Sequence, residues 1–570
     1  MELRPRPLSR GLLVLALVAA ALAWFALAAP SPAHAAVVLP NTQTEVPKGY
    51  RMNAEQAIAA AERVVKVQKE LKKHPGQFRA YGYVSRPRSW QVSWFDKKDK
   101  ERIQVLVDDP TGTPLEAWTG YQVAWRMARG YPGAFGKSFN AIWLWLPLGL
   151  IFLLPFIDFR RPFRLLHLDM LMLVGFVVSH LFFEKGKIGV SVPLAYPVLA
   201  YLLIRMLIVG FRPKRHRGRL VPWVPTWALA LAILFLVGFR VGLNMVDSNV
   251  IDVGYSGVIG ANHIAHGKEL YNGSFPADNE HGDTYGPVDY LAYVPFERIW
   301  PWSGKWDDLP AAHAAAIAFD LLTLLGLFLL GRRLRAGPAG INLGTALAFA
   351  WAAYPYSLFV LSTNSNDSLV AALVVFAMLA LTSAPARGLM LGLAGAAKFA
   401  PLALAPLFAR GRDALWSRRT LIAGVVMVAT VVVAFVPFIP PDGLHQLWHR
   451  SIGSQINRSS PFSIWGQTSL DWLQVLWQAG CVALALGVAV VPKRRTEAQI
   501  AALGAAVLIA FQMAADHWFY LYVVWFAPLI FVALFAAYDR VTPDDDLDEW
   551  ESQPAVRGPR STARAPAAAR

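Results

Sequence analysis

The run LIAGVVMVATVVVAFVPFI (421–439) decides the fold class. It carries no charged residue, and as a helix rising ~1.5 Å per residue it matches a hydrocarbon core of ~30 Å. Arg418 and Arg419 stand just before it, and the polar stretch 440–472 follows. Working outward in both directions, the same alternation repeats. Apolar blocks long enough to cross a bilayer are expected at 141–157, 165–183, 190–210, 221–242, 311–330, 343–361, 368–382, 421–439, 475–491, 500–515 and 518–538. The chain therefore reads as an α-helical polytopic membrane protein with about 11 spanning helices. Its composition agrees: 55% hydrophobic and 16% charged residues over 570, with a mean hydropathy of +0.38, against roughly 25% charged in soluble domains.

The net charge of +16 raises the question of nucleic acid. Its placement answers it. The basic residues gather in short runs between apolar blocks: Arg160, Arg161 and Arg164; Arg212 to Arg219; Arg332, Arg333 and Arg335; Arg410 to Arg419; Lys493 to Arg495. Short basic loops are what the positive-inside rule expects of cytoplasmic connections, so no nucleic-acid partner is expected. The lone Cys481 sits in an apolar block and excludes a disulfide framework.

Residues 389–409 interrupt the alternation, because basic residues (Arg387 and Arg410) flank both ends. We read this block as a re-entrant helical hairpin with Lys398-Phe399-Ala400-Pro401 at the bend. All basic loops then fall on one side, and three polar loops (243–310, 362–367 and 440–472) fall on the other, with the Asp516-His517 junction beside them.

The domain plan follows. Residues 1–36 read as a signal peptide or signal anchor, with basic residues before an apolar run and Ala33-His34-Ala35 as a cleavage-like site. Residues 37–140 form a small α+β extracytoplasmic domain, with a helix over 53–74 and strands over 89–95, 102–107 and 114–119. Its tryptophans Trp90, Trp94, Trp118 and Trp125 are expected to pack. Residues 141–220 supply accessory transmembrane helices, and 221–540 the main transmembrane domain. The tail 541–570 is expected to be disordered and cytoplasmic.

The outer loops carry the polar residues a passive linker does not need. The first contains Asp247, then Asp252-Val253-Gly254-Tyr255, then Gly267-Lys268-Glu269-Leu270-Tyr271. The chain continues with Thr284-Tyr285-Gly286-Pro287, Asn364-Ser365-Asn366-Asp367, Lys398-Phe399-Ala400-Pro401, Ser460-Pro461-Phe462-Ser463-Ile464-Trp465 and His517-Trp518-Phe519-Tyr520. A carboxylate just past a spanning helix, followed by an amphipathic segment at the interface, suits a lipid-phosphate substrate.

These strings, in this order over about 221–538, resemble glycosyltransferase family 87. The resemblance implies a GT-C-like fold, a polyprenyl-phosphate sugar donor (mannose or arabinofuranose) and an acceptor that is an envelope glycolipid or polysaccharide. It implies inverting transfer with an aspartate in the first outer loop as base, for which Asp252 is the expected residue and Asp247 the alternative. A leaving phosphate needs positive charge aimed at its oxygens, and Arg458, Arg450, His449, Lys398 and His517 are the candidates. Tyr255, Tyr285, Asn366, Asp367 and Tyr520 are candidates for holding substrate, although Asp367 also suits a helix cap. Trp300, Trp302 and Trp306 suit an interfacial belt. No metal site and no cofactor are expected. The N-terminal domain resembles a PepSY-like module and is a candidate docking site for a protein partner. Two rival readings use the same spans: a lipid-linked sugar flippase or transporter, and a non-catalytic scaffold.

Overall fold

The computed structural model describes residues 38–85, 88–130, 141–276, 278–453 and 460–545; the expected signal segment, Arg458 and the tail beyond 545 lie outside the described residues.

The N-terminal domain packs helices α1 (Ala54–Glu62) and α2 (Val65–Lys73) on a four-stranded antiparallel meander. Its strands are β1 (Arg79–Ser85), β2 (Ser89–Phe95), β3 (Glu101–Asp108) and β4 (Pro114–Thr119). The expected single helix is broken, because Val64 adopts an extended backbone (ψ 124°) between the two segments. Strand β1 was not expected: Gly82 weakens its alternation, and it lies at the sheet edge. Trp90 and Trp94 are buried as expected, with Val92, Ile103, Val105 and Val107 beneath the alanine face of α1. Asp109 fastens the corner, accepting from the Trp90 indole at 3.1 Å and from the Arg51 and Met52 backbone.

The membrane part begins with α3 (Ile142–Leu153), α4 (Leu165–Glu184) and α5 (Ile188–Phe211). A short strand β5 (His216–Arg219) precedes α6 (Thr226–Val246). The long loop after α6 holds α7 (Asp252–Ala265) and α8 (Pro287–Ile299). Then come α9 (Pro310–Leu334), α10 (Gly337–Ala353), α11 (Pro355–Ser362), α12 (Asp367–Leu379), α13 (Ala384–Ala397), α14 (Ala405–Arg410) and α15 (Arg418–Phe435). The chain finishes with α16 (Gly443–Trp448), α17 (Asp471–Val490), α18 (Glu497–Ala514), α19 (Val523–Phe535) and strand β6 (Tyr538–Arg540), which pairs in parallel with β5.

Among the described residues, seven helices (α4, α5, α6, α9, α15, α17 and α18) are long and apolar enough to cross a membrane, and the pair α10–α11, bent by 55°, makes an eighth if it is one span. Three of the expected spans correspond to shorter apolar helices: Ile142–Phe156, Asp367–Leu379 and Tyr520–Phe535. Helix α18 is central, 83% of its window being buried, whereas only 6% of the α15 window is covered by protein.

The bend between α10 and α11 falls where Pro355 cannot donate to the helix ladder. At this break the Trp351 carbonyl accepts from Ser357 Oγ at 2.6 Å, and the Ala352 carbonyl from Arg240 Nη1 at 3.0 Å. Arg240 in α6 is fully buried and also pairs with Asp320 of α9, which accepts from the Trp351 indole at 2.9 Å. A buried ion pair thus ties three helices at one kink, where each charge has a partner.

The excursion over 384–410 folds back on itself. Near the start of α13, Arg387 Nη2 donates to the Ala409 carbonyl at 2.9 Å, and it pairs with Asp413 at 2.6 Å. Both ends of the excursion therefore meet, with the turn at Lys398. Contacts also link the basic runs along one face. Arg164 donates to the Arg219 carbonyl, Arg335 to Tyr538, and Arg410 to Lys493, while Arg333 pairs with Glu497. The start of the expected tail is packed rather than loose: Val541 and Thr542 are buried, and Asp544 accepts the first N–H of α6. An acidic side chain at a helix N-terminus satisfies an orphan donor and complements the helix dipole.

Candidate active site

At the other end of α6, the loop that follows it and the loop before α12 join through their backbones. Asn249 donates to the Ser362 carbonyl at 3.0 Å and Ile251 to Thr363 at 3.1 Å. Two glycines permit the closest approaches. A Cβ on Gly254 would stand 2.1 Å from the Asn364 carbonyl oxygen, and one on Gly286 2.0 Å from that of Ala396. The Gly286 N–H donates to the Ala397 carbonyl at 3.0 Å. The strings 252–255, 284–287, 364–367 and 398–401 thereby become one cluster. Asn364 turns the chain with a left-handed backbone (φ 51°), which asparagine tolerates better than most residues. Its side chain bridges Asn244, Ser248 and the Asn249 carbonyl.

Lys398 follows the last turn of α13 and is buried. Its ammonium lies 2.6 Å from Asp367 Oδ1, with the Tyr285 and Trp525 rings each centred 5.3 Å away. Asp367 also accepts from the Trp525 indole at 2.9 Å and from Ser365 Oγ at 2.8 Å. The carboxylate thus serves the lysine. The N-cap position of α12 belongs to Asn366, whose side chain makes no capping bond.

Asp252 is the exposed first residue of α7, where its Oδ1 accepts the Val253 N–H at 3.0 Å. Tyr285 links it to the buried cluster. Burial first of all, then the nearby Asp252, Tyr522, Asp289 and Asp367, holds the Tyr285 phenol well above its usual range. Asp247 closes α6, half-buried. Arg450, on a π-helical turn, lies 3.7 Å from Asp283, and the next residue, Ser451, accepts from Thr284 Oγ1 at 3.2 Å. Burial raises the Asp283 carboxyl, and the Arg450 charge opposes that rise. His449 is exposed beside Arg450. His517 accepts or donates to Ser460 Oγ at 2.9 Å and packs 6.3 Å from Tyr522, which packs on Trp525 at 4.5 Å. The His517 ring also lies 5.5 Å from Trp125, so the last residues of the N-terminal region border this end of the cluster.

Two expected substrate residues lie elsewhere. Tyr255 is buried against Trp306 and Trp302, and the Trp306 indole donates to the Val250 carbonyl, so these rings form the packing of the outer loop. The Tyr520 hydroxyl is held between Ser179 and Ser191 at 2.6 and 2.8 Å, its ring stacked on His180, where it fastens α4 and α5. Among the described residues, no three His, Cys, Asp or Glu side chains come together as a metal-binding group.

Sequence reasoning missed Asp289. Its carboxylate is buried in α8 with neither oxygen hydrogen-bonded, and no hydrogen bond closes with the neighbouring Asn366, whose side-chain atoms also lack partners. Burial pushes its pKa up from 3.8 to about 7, against the pull of Lys398. The helix pattern held the signal, since Asp289 shares the buried face of α8 with Tyr293.

A stability consequence follows. The folded value exceeds the unfolded one, so the folded protein retains a proton that the unfolded chain releases. Stability therefore falls as pH rises from about 4 to about 7 and is lowest above that window. Asp289→Asn removes this loss. Thermal unfolding in detergent should show the variant matching wild type near the acid end and exceeding it at alkaline pH. Equal offsets at both ends would refute the assignment.

The model of glycosyltransferase family 87 matches residues 284–515 of the chain. The matched stretch contains Tyr285, Asp289, Asn366, Asp367, Lys398, His449 and Arg450. Asp247, Asp252, His517 and Tyr520 lie outside it. No curated protein matches the chain.

Proposed function

We propose that the protein transfers a sugar, mannose before arabinofuranose, from a polyprenyl-phosphate donor to a glycolipid or polysaccharide acceptor. The reaction takes place on the outer face of a bacterial cytoplasmic membrane, with inversion. The observation that carries the reading is the junction at Tyr285, where an exposed carboxylate, Asp252, borders the buried polar cluster of the family-matched segment. In this mechanism Asp252 takes the proton of the acceptor hydroxyl as that oxygen bonds to the anomeric carbon. The bond from that carbon to the phosphate oxygen breaks, and polyprenyl phosphate leaves with the electron pair. The carboxylate sits at the first turn of a helix, where the dipole favours its ionised form, and a base in reach of the acceptor hydroxyl is what the step requires.

For the leaving phosphate, Arg450 is the stronger partner than Lys398. Lys398 has a carboxylate at 2.6 Å, whereas Arg450 has one at 3.7 Å and is partly exposed beside His449. His517, bonded to Ser460, is a further candidate for the phosphate, and Asn366 and Asp367 would bear on the sugar only through Lys398 and Asp289. The N-terminal PepSY-like domain, reaching the site at Trp125, is the surface through which an acceptor or partner protein would be brought in.

The test is transfer by the purified full chain, with polyprenyl-phosphate mannose or arabinofuranose and a panel of envelope glycolipids, followed by product mass. A mass gain of one sugar residue is expected. Saturable donor binding without transfer to any acceptor would favour a flippase instead.

A further inference from the structure

At the end of the bundle opposite the candidate active site, α4, α5 and the β5–β6 ribbon enclose a cavity of ≈ 440 Å³. Two of the basic runs, which topology alone explains in the sequence, converge on it. Arg161 and Arg164 come from the loop before α4, and Arg212, Lys214, Arg215 and Arg217 from the loop after α5. Arg205 also lines it but is committed to Asp169 at 2.8 Å. With Asp158 the second carboxylate of the lining, five cationic side chains are in excess. Arg164 is partly buried, laid over the Tyr538 ring, and its Nη1 has no hydrogen-bond partner, with the Asp158 carboxylate 3.7 Å away. The other wall is apolar, built from Leu165, Leu166, Ile208, Val209 and Leu534. Leu165 and Ile208 are 50% and 48% exposed on two helices that are themselves candidate spans.

We propose that this cavity binds the phosphate of an anionic glycerophospholipid, with the acyl chains along the exposed faces of α4 and α5. A soluble phosphate would be served by the arginines alone. An apolar wall continuous with lipid-facing leucine and isoleucine fits a ligand whose charge stands at the interface and whose chains stay in the bilayer. Of the acidic residues after Tyr538, Asp539 is exposed, and Asp544 and Asp545 are occupied elsewhere, at the Thr226 N–H and at Asn342. This inference does not rest on the transferase reading.

The test uses the full chain, native mass spectrometry, and matched phosphatidylglycerol and phosphatidylcholine. Wild type is expected to retain phosphatidylglycerol preferentially. The exposed pair Arg161→Gln/Arg217→Gln should weaken that retention roughly 30-fold, at about 1 kcal/mol per basic side chain near the surface, without moving the melting temperature in phosphatidylcholine. Arg164→Gln, a second variant at the buried Nη1 that makes no hydrogen bond, should weaken it independently. Equal retention of the two lipids, or variants that bind like wild type, would overturn the proposal. So would complete displacement of the lipid by millimolar inorganic phosphate, which would make the cavity a soluble-anion site.

Discussion

Asp252→Asn is expected to lower transfer by roughly 10²–10⁴-fold, the usual contribution of a positioned general base, while the protein stays folded. The fold should survive for local reasons. The side chain is exposed, and its bond with the Val253 N–H needs only an acceptor oxygen, which asparagine keeps. An exposed substitution of this kind costs at most about 0.5 kcal/mol. Acceptor and donor KM should change little, because the lost interaction develops only as the hydroxyl loses its proton. Asp247→Asn is the control. Asp247 closes α6 behind the loop, five residues before the helix that presents Asp252, so this variant should keep wild-type turnover. If Asp247→Asn were the inactive protein and Asp252→Asn the active one, the base would be Asp247 and the Tyr285 junction would lose its meaning.

Much of the scaffold was legible because burial in a membrane leaves a strong pattern. Apolar runs located the helices to within a few residues, as at 165–183 against Leu165–Glu184 and 421–439 against Arg418–Phe438. The bend at Lys398 followed from charge alone, since arginines flanked both ends of one apolar block. Strands β2 and β4 were placed at their observed limits because alternation and turn residues agreed. The partnerships were not legible. Arg240 and Asp320 are far apart in sequence, and each looks like a misplaced charge until the kink at Pro355 brings carbonyls and an indole to them. Asp289 was hidden for a related reason, as one carboxylate in a polar-looking loop reveals its burial only when α12 and α13 close over it. Tyr520 shows the reverse error. It belonged to a family string, yet its hydroxyl is spent on Ser179 and Ser191, residues of spans outside the match. A motif identifies which segments meet, and side-chain contacts decide which of its members face substrate.

Lys398→Met is the substitution expected to harm folding most, because it strands the Asp367 carboxylate in the protein interior. Removing one partner of a buried pair typically costs about 3–5 kcal/mol. Here the Trp525 and Ser365 bonds remain to share the charge, which places the loss toward the lower end. The double variant Lys398→Met/Asp367→Asn separates the two roles a buried lysine can have. An amide still accepts from Trp525 and no longer needs a counter-charge, so most of the stability should return. If the lysine is a strut between the hairpin bend and α12, as its 2.6 Å pairing indicates, the restored protein should also transfer sugar with a donor KM within a few-fold of wild type. If instead the lysine binds the donor phosphate, the double variant will fold and yet show a donor KM raised by an order of magnitude or more, as expected from losing a charge-assisted contact of about 1.5–3 kcal/mol. Unfolding midpoints read beside donor KM in the same preparations decide between these outcomes. Arg450→Gln should raise donor KM in either case.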